Sequence, residues 1–134
     1  MPPLTRWFIK AALVYLVLGL SAGILLELPN GARIAGLFPV YIHMLTFGWL
    51  TQLIFGVAFW MFPKFSKVEP RGYEWLGWAT FLLLNVGLIL RVIFELLRGA
   101  LPSLSGWMLV VAAILQWLSG IAFMINTWPR VREK

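Results

Sequence analysis

The chain has 134 residues, 61% hydrophobic and only 12% charged, and carries a formal net charge of +6. Its mean hydropathy is +0.88, more apolar surface than a soluble domain of this size buries, so the matching solvent is lipid. It has no cysteine and no aspartate, and no Asp/Glu-rich or multi-histidine cluster, which excludes disulfides, iron–sulfur clusters, thiolate chemistry and most hydrolytic or metal-cage chemistry.

A helix needs roughly 20 mostly apolar residues to cross the hydrocarbon layer. The first such segment is 7–26. A signal peptide would stop after roughly 7–15 apolar residues and offer a small-residue cleavage site. Here the run continues through Leu26, so a retained membrane helix is expected. Gly19 and Gly23 on it form a small-xxx-small step suited to close helix packing. The connection "ELPNGARIAG" follows.

The second segment, 38–62, reads "YIHMLTFGWLTQLIFGVAFWMFP" from Tyr41 to Pro63. Pro39 suits a first helical turn and Pro63 a helix exit. His43 is the one histidine in the chain. Phe47, Leu50, Ile54, Val57 and Met61 continue its helical stripe. With no second histidine at i+4 this is not a zinc motif. Two readings stay open. One is a lone axial ligand for haem, whose flat ring would lie on the stripe; the other is a histidine bonded to a carbonyl or hydroxyl of the next helix. Gly48 and Gly56 repeat the small-residue pattern.

The third segment, 75–97, carries Arg91 and Glu95 four apart on one face. They are expected to pair and face protein, either as a self-satisfied ion pair that snorkels or as a site where Arg91, with Arg98 and Arg33, neutralises an anion. The fourth segment is 106–128. Gln52, Asn85 and Gln116 fall near the middle of their spans. Such amides commonly bond between helices, and the other reading is a proton or water path. Continuous rather than alternating apolar runs predict helices, not a barrel. The fold class is therefore all-α integral membrane, one four-helix domain over 1–134. Trp7, Trp60, Trp75, Trp107 and Trp128 mark expected interfacial ends.

Arg6, Lys10, Lys64, Lys67, Arg71, Arg130, Arg132 and Lys134 fall on one side, and Arg33, Arg91 and Arg98 on the other. The positive-inside rule then expects a multi-pass protein of the inner (plasma) membrane with both termini cytoplasmic and His43 in the outer part of its helix. No loop carries a dense basic stripe, so nucleic acid is not an expected partner.

The segment "YIHMLTFGWLTQLIFGVAFWMFPK" resembles the second transmembrane helix of subunit I of haem–copper oxidases and nitric oxide reductases. The matching positions are His43, Gly48-Trp49, Gly56, Met61-Phe62-Pro63 and Lys64. The connection "LPNGARIAGLF" resembles the family more loosely, and the last two segments only in general character. The family histidine at this place is an axial ligand of the low-spin haem, so the resemblance implies haem, of b type, on His43. Family arginines between the third and fourth helices of an arc meet the haem propionates, and Arg98 falls in that connection; Arg91 would join it from the outer side. The family has twelve helices in three four-helix arcs. This chain matches one arc, with a single histidine and no copper ligands or His–Tyr pair.

The resemblance thus implies a homotrimer closed by head-to-tail contacts, five-coordinate haem or a non-histidine sixth ligand such as Met108, and a role in electron transfer or in binding O2 or NO, with a respiratory redox partner. Whether the chain is an enzyme stays open, since no side-chain constellation supplies a nucleophile, base and oxyanion site. Two other functions are carried beside it. One is a cofactor-free accessory or assembly subunit of a respiratory membrane complex. The other is four-helix drug export, which relies on an acidic residue deep in the first helix; here only Glu27 lies there, at its end.

Overall fold

Two helices begin on proline. Pro3 opens α1 (Pro3–Glu27) and Pro102 opens α4 (Pro102–Thr127). A first-turn proline has its φ set for a helix and lacks an N–H that would go unbonded there anyway. That is why both helices start ahead of the apolar runs that announce them. Prolines also end helices. Leu28, before Pro29, and Phe62, before Pro63, are both extended, the conformation imposed on a residue that precedes proline.

In this computed structural model, which describes residues 1–131, α2 spans Leu37–Met61 and α3 spans Glu74–Leu96. Arg132 and Lys134 lie outside the described residues. Four helices are long and apolar enough to cross a membrane among the described residues, and these contain no strand. At 1.5 Å per residue each exceeds the roughly 30 Å hydrocarbon layer. Only 17–28% of the residues in their apolar windows are buried, so most of each apolar surface must be covered by lipid or by other chains. Trp7, Trp60, Trp75, Trp107 and Trp128 are all exposed near helix ends.

α3 and α4 form the most extensive pair, α1 lies along α2, and the opening segment of α2 (Leu37–His43) packs on α3. At one end, Leu4, Phe8 and Phe59 make a fully buried cluster. Phe81 meets Phe8 edge-on at 5.1 Å, and Phe55 stacks on Phe123 at 4.0 Å to tie α2 to α4. A clip holds the α2–α3 connection to the same end: the Tyr73 N–H donates to Asn126 Oδ1 at 2.9 Å. At the opposite end Gly36 has φ +78° and lies so close to α3 that an added Cβ would overlap the Glu95 carbonyl. Only glycine serves there.

The close-packing steps expected from the glycines are present. A Cβ at Gly19 would meet Leu45, at Gly23 Tyr41, and at Gly56 Phe8. Gly48 is the most instructive, since its Cβ would lie 2.6 Å from Tyr15 Cγ. The Tyr15 ring therefore lies directly on the α2 backbone. Gly48→Ala is expected to destabilise the fold by about 1–3 kcal/mol through overpacking. Tyr15→Ala in the same chain should recover part of that loss in a detergent melting curve.

α2 is not a uniform helix. Its middle, Met44–Thr51, is wound as a π-helix between two α-helical parts. Where it begins, His43 and Thr46 bond back to carbonyls four residues earlier, Thr46 Oγ1 reaching the Ile42 oxygen at 2.7 Å. Such side chains compete with backbone N–H groups for those acceptors, and this competition accompanies the wider winding. π segments recur at functional positions. This one starts on the residue after the single histidine.

Candidate functional site

His43 sits half-buried in the first third of α2. Its Nδ1 lies 2.8 Å from the Pro39 carbonyl oxygen. A carbonyl only accepts, so Nδ1 must carry the proton and donate. In the neutral ring the lone pair is then left on Nε2, the arrangement that ligating histidines take when a carbonyl fixes their tautomer. The carbonyl belongs to His43's own helix, not to the next one. Phe47 stacks nearly parallel to the imidazole, with centroids 5.8 Å apart and planes 15° apart.

The stripe below His43 stays uncovered. Phe47, Leu50, Ile54 and Met61 are exposed in the single chain. The neighbouring face of α2 is the packed one: Met44, Gly48 and Gln52 are buried. The imidazole therefore heads the face that no helix of its own chain occupies. It does not line the apolar groove between α1 and α3. Among the described residues no three His, Cys, Asp or Glu side chains gather, so His43 could offer a metal one protein ligand.

The acidic partner at this end is Glu95, only 4% exposed. Arg91 Nη1 donates to its Oε1 at 3.3 Å, the i,i+4 pair that the spacing suggests. Arg98, one turn on, comes within 3.7 Å of Oε2. That second cation was not read from the sequence as part of the pair, although i,i+3 spacing allows it. Arg91 Nε keeps a buried N–H without an acceptor. The two arginines thus converge on one carboxylate, at the end of the bundle where α2 opens. Glu95→Ala should cost about 3 kcal/mol, because it leaves Arg91 buried and unpaired. Arg98→Ala, removing a guanidinium whose side chain is 63% exposed, should cost under about 1 kcal/mol. Both are read by thermal unfolding in detergent.

Two of the three amides meet. Gln52, fully buried, donates from Nε2 to Asn85 Oδ1 at 3.3 Å, and Asn85 Nδ2 donates to the Phe81 carbonyl. This is the interhelical tie between α2 and α3 that such residues favour. Gln116 stands apart from these bonds, packed against Gly87, with its Nε2 lacking a partner. Met108 is half-buried on α4, which packs on α3.

Sequence reasoning counted Arg130 only as a topology charge. It is 1% exposed and donates to three carbonyls at the end of α2: Phe59 at 3.0 Å, Phe62 at 2.8 Å and Pro63 at 3.0 Å. Its guanidinium also stands 5.7 Å from the Phe59 ring centroid. The available signal was Pro63: lacking an N–H, it cannot serve the Phe59 carbonyl four residues back, which must find another donor.

Set against protein-family models, curated proteins and solved structures, the chain matches none.

Proposed function

We propose that this chain is a membrane haem-binding module, built like one arc of haem–copper oxidase subunit I, for electron transfer or for binding a small gas such as O2 or NO. One observation carries the reading. The Nδ1–H bond to Pro39 leaves the Nε2 lone pair of His43 on a face of α2 that its own chain does not cover. The residues present fit an apolar ring held through one nitrogen: an imidazole whose Nδ1 is engaged by the Pro39 carbonyl, and the exposed apolar stripe beneath it. Bound there, a b-type haem would supply one-electron and gas-ligand chemistry.

The chain's own residues hold and shield. His43 ligates. Arg91, with its unpartnered Nε, and Arg98 offer cationic N–H groups to carboxylates of the cofactor, with Glu95 holding both arginines in place. Because the stripe below His43 is exposed in the single chain, an enclosed cavity there needs a neighbour. Head-to-tail closure of a homotrimer would bring another copy against each uncovered stripe. The basic residues support an orientation. Arg6, Lys10, Lys64, Lys67, Arg71 and Arg130 belong to the end where Leu4, Phe59 and Gly77 meet. Arg33, Arg91 and Arg98 belong to the other. With the basic end cytoplasmic in a plasma membrane, His43 faces the outer leaflet.

The test is an absorption spectrum of the detergent-solubilised particle with a mass measurement. A Soret band with one-histidine ligation and a trimeric mass supports the module. A colourless particle favours the cofactor-free assembly subunit, and a bis-histidine spectrum overturns the single-ligand geometry.

A further inference from the structure

Two recesses on the flank away from the His43 stripe run into each other. The larger is a groove of about 420 Å3 between α1 and α3, lined by Val14 and Leu18 of α1, Met44 of α2, and Phe81 and Ile89 of α3. The smaller, about 250 Å3, is lined by Pro3, Arg6, Trp7 and Lys10. Trp7 and Lys10 line both. One end of the combined recess is therefore cationic and the rest apolar. The groove follows α3 as far as Ile93. Phe81 to Ile93 is about 18 Å of helix, close to the depth of one leaflet, half of the roughly 30 Å hydrocarbon layer.

The chemistry selects the occupant. Arg6 and Lys10 are exposed, and among the described residues the ion pairs all fall on Glu95, at the far end of the bundle. Lys10 lies two turns into α1, where its long stem lets the ammonium reach the headgroup level. No carboxylate among the described residues lines either recess, so these residues supply no counter-charge to the two cations. A headgroup phosphate at that depth is complementary instead.

We infer that the continuous recess binds one anionic phospholipid, its phosphodiester held by Arg6 and Lys10 and an acyl chain laid along Val14, Leu18 and Phe81. Trp7, which lines both recesses, marks the junction of head and tail, where its indole N–H can donate to an ester carbonyl. The site is independent of the haem reading, and its test reads no cofactor.

The protein is delipidated in neutral detergent, offered phosphatidylglycerol or phosphatidylcholine, and weighed intact by native mass spectrometry. The wild type should retain phosphatidylglycerol about ten- to thirty-fold better, as two basic groups near an anionic headgroup allow. The Arg6→Gln/Lys10→Gln double variant changes only exposed side chains and should lose that preference. Val14→Trp, which fills the groove, should lose both lipids while keeping the oligomeric mass. Equal retention of the two lipids by the wild type overturns the proposal. So does a Val14→Trp protein that keeps its lipid, or one that changes oligomeric state instead, since the groove would then seat another copy. If Val14→Trp does not fold, the double variant decides alone.

Discussion

His43→Ala is expected to yield a folded, colourless protein from a coloured parent. Under the haem reading His43 is the single protein ligand, so its removal should weaken retention by more than the roughly 10–100-fold typical of losing a supporting group around a metal site. The fold should feel much less. The ring is half-buried and its bond to Pro39 is local to one helix, so the stability change should stay near about 1 kcal/mol. The comparison therefore separates a ligand from a packing residue. Added imidazole should restore part of the absorption in the alanine variant by supplying the missing nitrogen. A variant whose spectrum matches the parent removes the haem reading. A parent without colour, in which His43→Ala shifts only the melting curve, leaves the assembly-subunit reading.

Arg130→Ala should be the most damaging single change to the fold. The guanidinium joins the last turn of α2 to the end of α4 through three carbonyl bonds, in a site that excludes solvent. Hydrogen bonds to a charged group contribute about 1.5–3 kcal/mol each, and they are not independent here, so a loss of about 3–5 kcal/mol is expected. Alanine also strands the Phe59 carbonyl, which Pro63 cannot serve. Arg130→Lys should recover only a part, because one ammonium cannot span acceptors on three residues as a planar fork does. Two measurements check this: a lower unfolding midpoint in detergent, and faster tryptic cleavage at Lys64 and Lys67 as the freed end of α2 opens. An unfolding midpoint close to wild type would mean that packing alone holds the two helix ends together.

The candidate site was partly legible beforehand. His43 stands out because it is the one histidine in a lipid-like chain, and the Arg91–Glu95 pair follows from i,i+4 spacing on a single helix. Both are local facts. The tautomer of His43 was not legible, since it depends on which carbonyl comes within reach. Nor was the π-wound middle of α2, a property of competing backbone and side-chain acceptors. Gln52 and Asn85 were marked as amides at similar depth, but their meeting across 33 positions in the sequence needed the helices packed.

By itself the sequence determined four segments long and apolar enough to span a membrane, their prolines and tryptophans, and the small residues where helices touch. The physical reason is that lipid leaves a backbone so few choices that apolar length alone almost dictates each helix. Tertiary structure decided what faces what. It turned Arg130 from a surface charge into a buried cap, set Glu95 between two arginines, and left the His43 stripe uncovered while α1 closed the face beside it. Those outcomes depend on the rotation and approach of whole helices. Close contacts such as Tyr15 on Gly48 settle them, and no periodicity within one helix carries that information.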